Sequence, residues 1–171
     1  MKKSSGHGVI TWPGLLLLAL SAALYLTRSR TKNRPTVNNS INKDAAKVFT
    51  TLVALGFTTQ QASFITAQAA HETGGFTSVI FKENNNCFGM KFPSIRKTFA
   101  TGTNYGHATF ASLTDCIKDF LLYYKFVKLL DTYSGIDTYI KALKERKYFE
   151  ADLNQYIAGV IHWHKKYFET N

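Results

Sequence analysis

An uncharged run of eighteen residues, from Val9 to Leu26, limits what this chain of 171 residues can fold into. No polar face interrupts the run, whereas a helix at the edge of a globular core would have one. A hydrocarbon core of about 30 Å needs roughly this length of apolar helix to span it. Residues 1–27 are therefore predicted to form an N-terminal transmembrane helix that anchors the protein, with a cleaved signal peptide as the alternative.

Positive charge is concentrated beside this run. Residues 1–43 contain seven Lys and Arg and no acid, whereas the rest of the chain carries 14 of the 21 Lys and Arg and all 11 acids. Outside residues 1–43, the excess of basic over acidic residues is too small to form a strongly basic surface, so no nucleic-acid partner is predicted. Residues 28–43 are basic, polar and rich in Asn, which is typical of a linker. One folded domain is expected over residues 44–171.

This domain is predicted to be mainly helical. Capping residues and apolar periodicity predict helices that begin at Asp44, at Thr58 or Thr59, at Ser112, at Ile136 and at Asp152. Between Asn84 and Phe110 the helical period disappears, and Gly, Asn, Thr and aromatic residues predict a loop with a small hairpin.

The acidic residues were compared as candidates for proton transfer. Nine are natural helix caps or lie among Lys and polar neighbours that predict solvated faces, namely Asp44, Asp115, Asp119, Asp131, Asp137, Glu145, Glu150, Asp152 and Glu169. Glu72 differs, because it shares a nearly apolar face with Ile65 and Ala69 in the last turn of its helix. The helix dipole and partial burial would both raise the pKa of this carboxyl, as a proton donor requires. A helix-end Glu that faces water is the alternative.

Two short motifs surround this position. Residues 67–75 read Ala-Gln-Ala-Ala-His-Glu-Thr-Gly-Gly, and residues 85–91 read Asn-Asn-Cys-Phe-Gly-Met-Lys. In their order and spacing the two motifs resemble glycoside hydrolase family 73, the endo-β-N-acetylglucosaminidases. The resemblance covers about residues 44–168. It implies a small lysozyme-like fold, mainly α with a short β-hairpin (α+β), and a groove between the helical lobe and the hairpin.

The resemblance also implies roles for individual residues. It makes the chain a peptidoglycan-degrading glycosidase that cleaves β-1,4 glycan bonds with Glu72 as the general acid, and it makes Tyr148 a candidate for a hydroxyl that faces the cleavage site. The substrate-binding residues that it implies are Gln68, Asn86, Phe88, Gly89, Met90, Lys91 and Tyr156. No cofactor and no metal ion are expected.

The sequence departs from the family in one respect, because residues 91–112 contain no Asp or Glu, whereas family members often carry a second carboxylate on the hairpin. Three routes remain open: Glu83 acts from its loop, the acetamido group of the substrate assists, or Glu72 also serves as base, as in a lytic transglycosylase. The single-acid routes are favoured over Glu83. A non-catalytic peptidoglycan-binding or virion structural module is the alternative function.

The expected location is a single-pass membrane anchor with the domain facing the cell wall or in a virion membrane, in a phage or a bacterium. The basic residues after the apolar run outnumber those before it, which by the positive-inside rule would leave the domain in the cytoplasm. Cleavage and export, or a virion membrane, would remove this conflict, and the sequence leaves both open. It also leaves open whether Cys87 and Cys116 pair.

Overall fold

The computed structural model describes residues 41–129 and 133–169. Within these ranges the elements are α1 (Lys43–Ala54), α2 (Thr59–Glu72), α3 (Val79–Asn84), β1 (Gly102–Asn104), β2 (His107–Thr109), α4 (Leu113–Phe126), α5 (Ile136–Glu145) and α6 (Leu153–Phe168). The predicted mainly helical domain with a small hairpin is confirmed. The predicted membrane helix lies outside the described residues, and among those described no helix is long and apolar enough to cross a bilayer.

The first two helices begin at side-chain caps. Asn42, not Asp44, caps α1, because the Asn42 side chain accepts a hydrogen bond from the Asp44 amide at 2.7 Å. Asn and Asp are equally favourable N-cap residues, so the sequence analysis placed the cap two residues too far along the chain. Thr58 caps α2 in a reciprocal box: Thr58 Oγ1 accepts from the Gln61 amide at 3.1 Å, and Gln61 Oε1 accepts from the Thr58 amide at 3.0 Å.

Helix α2 is the centre of the core. Every residue from Ala62 to Ala70 is buried, and the helix packs against α1 and α6. A helix enclosed on all sides is typical of a protein interior. On α6, a Cβ at Gly159 would overlap the ring of His71, so the absence of a side chain there allows the two helices to approach closely. The end of α2 is therefore held rigidly.

A short helix and the hairpin follow. The sequence did not predict α3, which has only six residues and begins where Ser78 Oγ accepts from the Phe81 amide at 3.2 Å. The hairpin predicted within residues 84–110 is confirmed as β1 and β2. Tyr105 and Gly106 connect the strands with φ of 52° and 74°, as a two-residue hairpin turn of type I′ requires. The hairpin contacts the preceding loop, because the Ala108 amide donates to the Met90 carbonyl at 2.8 Å.

Asp119 on α4 was predicted to lie on a solvated face, and the structure shows that this prediction is wrong. Its side chain is fully buried, and it accepts hydrogen bonds from Arg96 at 2.7 Å, from Thr98 Oγ1 at 2.7 Å and from the Phe99 amide at 2.8 Å. A carboxylate is tolerated in a core when it is neutralised and hydrogen-bonded in this way. The partners lie about twenty residues away in sequence, so helical spacing could not reveal them.

The two cysteines meet in the core. Cys87 and Cys116 are buried free thiols whose sulfur atoms lie 3.7 Å apart. Burial, followed by the neighbouring Cys116 thiol, raises the pKa of Cys87 well above its ordinary value. Cys87 is therefore a packed thiol in this structure and not an activated nucleophile.

Candidate active site

An open groove of about 870 Å³ runs beside the end of α2. Its lining comes from three parts of the chain: the end of α2, the segment from Phe88 to Arg96, and the segment from Lys147 to Ala151 with Tyr156. Tyr123 and Phe126 of α4 complete one end. A groove open to solvent suits an elongated substrate better than a small molecule, which is usually enclosed.

Glu72 lies in this groove at the last residue of α2. The helix ends there because Thr73 closes it: Thr73 Oγ1 donates to the Ala69 carbonyl at 2.7 Å and accepts from the Phe76 amide at 2.9 Å. Burial raises the pKa of Glu72, while a hydrogen bond from Tyr156 and the positive charge of His107 lower it, with a net shift upward. The carboxyl group is thereby biased toward its protonated form.

A chain of hydrogen-bonded polar side chains positions the Glu72 carboxyl group. The Tyr156 hydroxyl donates to Glu72 Oε1. Burial, followed by the charge and the hydrogen bond of Glu72, raises the pKa of Tyr156, and a hydrogen bond with the Gln68 side chain opposes this rise. Gln68 Oε1 in turn accepts from the Tyr139 hydroxyl at 2.5 Å. Oε1 accepts the Tyr156 hydrogen bond and no described residue is hydrogen-bonded to Oε2, so Oε2 is the oxygen available to carry a transferable proton.

The loop after α3 is shaped by Asn86. Its Nδ2 donates to the carbonyls of Met90 at 2.8 Å and Ala108 at 2.9 Å, and its Oδ1 accepts from the Met90 amide at 3.1 Å. Gly89 therefore turns with φ of 60°, and a Cβ there would lie 3.7 Å from Glu72 Oε2. A glycine at this position keeps the approach to Oε2 open and accepts the left-handed backbone without strain.

Tyr148 joins the two walls of the groove. Its hydroxyl donates to the Phe88 carbonyl at 2.6 Å. Burial raises the pKa of Tyr148 well above its ordinary value, and the charge of Glu72 adds to the shift, so the hydroxyl stays protonated. This bond fixes the distance between the loop that contains Gly89 and the turn before α6.

The structure places most of the predicted site residues together. Seven of them line the groove, namely Glu72, Phe88, Gly89, Met90, Lys91, Tyr148 and Tyr156. Gln68 and Asn86 were predicted to contact substrate, but both are buried and act behind the groove wall. Glu83 does not line the groove: it is exposed on α3, where it accepts from the Tyr105 hydroxyl at 2.9 Å. The structure therefore gives no support to Glu83 as a second catalytic acid.

Several groove residues were missed by the sequence analysis. Glu150 was assigned to a solvated face; it is exposed, but it also lines the groove. The other missed lining residues include His71, Phe92, Tyr123, Phe126 and Lys147. His107 lies behind Gly89, where its Nδ1 is 3.0 Å from the Gly89 carbonyl. His107 belongs to the hairpin, the part of the fold on which family members often carry a second carboxylate. The sequence around Tyr148 contains no motif that would have identified Lys147 or Glu150.

No metal centre is found within the described ranges, where no group of three or more His, Cys, Asp and Glu could hold an ion. The described groove residues offer groups for proton transfer, hydrogen bonding, ring stacking and charge interactions. A mostly buried carboxyl with a raised pKa at the floor of an open groove is the arrangement expected in a glycosidase that acts on a polymer.

The comparison with protein families identifies the domain. The family model described as glucosaminidase, mannosyl-glycoprotein endo-beta-N-acetylglucosaminidase, matches residues 56–169. The chain belongs to this glucosaminidase family, and the resemblance seen in the two sequence motifs is confirmed. The family match makes the domain a glycoside hydrolase domain by descent.

A solved structure supports the fold. The chain is similar to a protein in the structure of a type VI secretion system effector-immunity complex from Pseudomonas protegens, with a TM-score of 0.53 and 18% sequence identity over 73% of this chain and 94% of that one. At this identity the likeness concerns the fold alone. The comparison with curated proteins gives no match.

Proposed function

We propose that this chain cleaves β-1,4 bonds in the glycan strands of peptidoglycan, with Glu72 as the general acid. The observation that carries the proposal is Glu72 itself, a carboxyl with a raised pKa whose Oε2 lies beside Gly89 in an open groove. Membership of the glucosaminidase family supports the substrate class. No other acid within the described residues combines burial with access to the groove.

The proposed step is protonation of the leaving group. Glu72 Oε2 donates its proton to the glycosidic oxygen, the bond from this oxygen to the anomeric carbon breaks, and the sugar ring takes up positive charge. Tyr156 keeps its hydrogen bond to Oε1 and stabilises the carboxylate that results. The aromatic rings of Phe92 and Phe126, each about half exposed, provide faces on which sugar rings can stack.

The group that completes the reaction is the open part of this mechanism. Glu150 is the other carboxylate that lines the groove among the described residues, and it would serve as base for an attacking water in an inverting hydrolysis. In the single-acid route, the Glu72 carboxylate takes the proton from the C6 hydroxyl of the same sugar, the oxygen of that hydroxyl bonds to the anomeric carbon, and a 1,6-anhydro sugar is released. We favour the single-acid route, because Glu150 is exposed and no contact with another described residue orients its carboxylate.

The test is mass spectrometry of the soluble products that the full-length chain releases from purified peptidoglycan. Reducing muropeptides would establish hydrolysis and identify the sugar at the new end, and anhydro sugars would establish transglycosylation. Glu150→Gln should abolish the reducing products if Glu150 is the base, and should leave anhydro products unchanged. Binding to peptidoglycan without any product would instead support a non-catalytic wall-binding or virion structural module.

We also propose that activity depends on pH and that Tyr156 affects this dependence through the pKa of Glu72. Activity should fall as pH rises through the folded-state pKa of Glu72, because the reaction needs the protonated carboxyl. The Tyr156 hydrogen bond lowers this pKa, so Tyr156→Phe should raise it and move the alkaline limb of the kcat/KM profile to higher pH. Tyr167→Phe is the control, because Tyr167 is a buried tyrosine of the same helix that lies outside the groove. An unmoved limb in Tyr156→Phe would contradict the role.

For the setting, we propose that the predicted segment 9–26 tethers the domain where it meets the wall, in a phage or a bacterium. Fractionation of expressing cells, with protease accessibility of the domain as the readout, would separate a retained anchor from a cleaved signal.

A further inference from the structure

Two lysines lie on the segments that form the groove walls. Lys91 follows the loop that contains Gly89, and Lys147 precedes Tyr148; both side chains are exposed and line the groove. The hydrogen bond of 2.6 Å from Tyr148 to the Phe88 carbonyl joins these segments, so one lysine stands on each side of that bond. Neither lysine has a role in the proton transfer described above.

No acid of the described residues pairs with these lysines. Arg96 is neutralised by Asp119 at 2.7 Å, and the other ion pairs of the described residues involve neither Lys91 nor Lys147. Glu72 and Glu150 are the acids among the described lining residues, and neither forms an ion pair with the two lysines. Both ammonium groups are therefore available to an anionic ligand.

The backbone at Lys147 is unusual for a lysine. Lys147 has φ of 56°, and the turn is a Schellman motif in which the Lys147 amide donates to the Lys144 carbonyl at 2.9 Å and the Tyr148 amide to the Leu143 carbonyl at 3.0 Å. Glycine is the usual residue at this position, since it has no Cβ to strain. A lysine here fixes an ammonium group at the groove rim at some local cost.

The end of α4 repeats this geometry away from the groove. Lys128 has φ of 57°, its amide donates to the Lys125 carbonyl at 3.2 Å, and the Leu129 amide donates to the Tyr124 carbonyl at 2.9 Å. Lys128 is exposed and does not line the groove. The two positions therefore share residue type, charge and backbone conformation and differ in their relation to the groove.

We propose that Lys91 and Lys147 bind carboxylates of the substrate, so that the groove selects an anionic glycan over a neutral one. The inference rests on the proposed function and narrows its substrate. Peptidoglycan strands carry carboxylates on the stem peptides and, once these are removed, on the lactyl group of muramic acid, whereas a chitin oligosaccharide of the same linkage is neutral. An ammonium group is a suitable partner for a carboxylate, because the hydrogen bond is charge-assisted.

The test is an equilibrium titration of the full-length chain carrying Glu72→Gln, in which turnover does not interfere. Three soluble ligands of equal length are compared: a glycan fragment with stem peptides, the same fragment after amidase treatment, and a chitin oligosaccharide. Lys147→Gly and Lys91→Gln should each weaken binding of the first ligand by about three- to tenfold and leave the chitin oligosaccharide unaffected. The loss should shrink as salt rises, because salt screens exposed charges.

Lys128→Gly is the matched control and should bind all three ligands as the parent does. Lys147→Gly should melt at the same temperature as the parent or higher, because glycine relieves the left-handed strain, so weaker binding would not be a folding defect. An effect of Lys147→Gly on the intact fragment would assign a stem-peptide carboxylate as ligand, because the lactyl group is amide-linked there. An effect that persists after amidase treatment would show that the freed lactyl carboxylate is bound in its place, and one that disappears would restrict the ligand to the stem peptide. Either outcome supports the proposal.

Two results would overturn it: Lys147→Gly binding the anionic fragments as tightly as Lys128→Gly does, or losing affinity for all three ligands equally. Failure of the proposed function would look different. If the chain without Glu72→Gln released no product from peptidoglycan while the titration still showed the selective loss, the cleavage proposal would fail and carboxylate recognition would stand.

Discussion

Replacing Glu72 with Gln is expected to lower kcat on peptidoglycan by about 10²- to 10⁴-fold, the range that a positioned general acid contributes. Gln matches the shape of Glu, and its amide oxygen can still accept the Tyr156 hydrogen bond, but it has no acidic proton to give to the glycosidic oxygen. The measurement is the initial rate of product release from purified peptidoglycan by the full-length chain. Glu145→Gln is the control, because Glu145 is exposed on α5 and lies outside the groove.

The stability of Glu72→Gln shows whether its loss of activity comes from a folding defect. Burial raises the pKa of Glu72 in the folded state, so the unfolded chain releases that proton at a lower pH than the folded chain does. The stability linked to the proton is therefore full below the unfolded-state pKa and is lost as pH rises through the folded-state pKa. Near neutral pH, Glu72→Gln should be as stable as the parent or more so. A variant that kept the parent rate would contradict the assignment of the acid.

Asp119→Ala is expected to cost about 3 to 5 kcal/mol of unfolding free energy, the largest stability effect predicted for this chain. The substitution leaves the Arg96 guanidinium, which is 8% exposed, without its partner, and it removes the acceptor for Thr98 Oγ1 and the Phe99 amide. The segment before β1 would lose its attachment to α4. Urea unfolding followed by circular dichroism measures the change in unfolding free energy.

The control for this prediction is an ion pair on the surface. Asp137 and Lys141 lie 3.7 Å apart on α5 with both side chains about half exposed, so Asp137→Ala should change the unfolding free energy by less than about 1 kcal/mol. Equal effects of the two substitutions would show that the burial of Asp119 contributes nothing.

The helices were predictable where local signals agreed with tertiary packing. Ser112 caps α4 as expected, accepting from the Asp115 amide at 3.1 Å, and Asp152 caps α6, accepting from the Gln155 amide at 3.0 Å. Caps and apolar spacing act within one or two turns, so the sequence contains the needed information. Helix α3 was missed because six residues are too few to show a period.

The catalytic candidate was also accessible from sequence, but its surroundings were not. Glu72 stood out by its apolar helix face and its motif, whereas Asn86 was assigned to substrate binding and turns out to hold the Gly89 turn from within the core. An Asn that binds a sugar and an Asn that binds backbone carbonyls look identical in a motif. Their difference depends on Met90 and Ala108, and the Ala108 contact spans 22 residues.

The sequence alone determined the helical class of the domain, its family and the candidate for the acid, because caps, periodicity and short motifs depend on residues that are close along the chain. The tertiary structure decided which charges are neutralised and which face the groove. It paired Asp119 with Arg96, removed Glu83 from the site, and brought Lys147 and Glu150 to the rim. Burial and charge compensation depend on contacts between distant segments, and these exist only once the chain has folded.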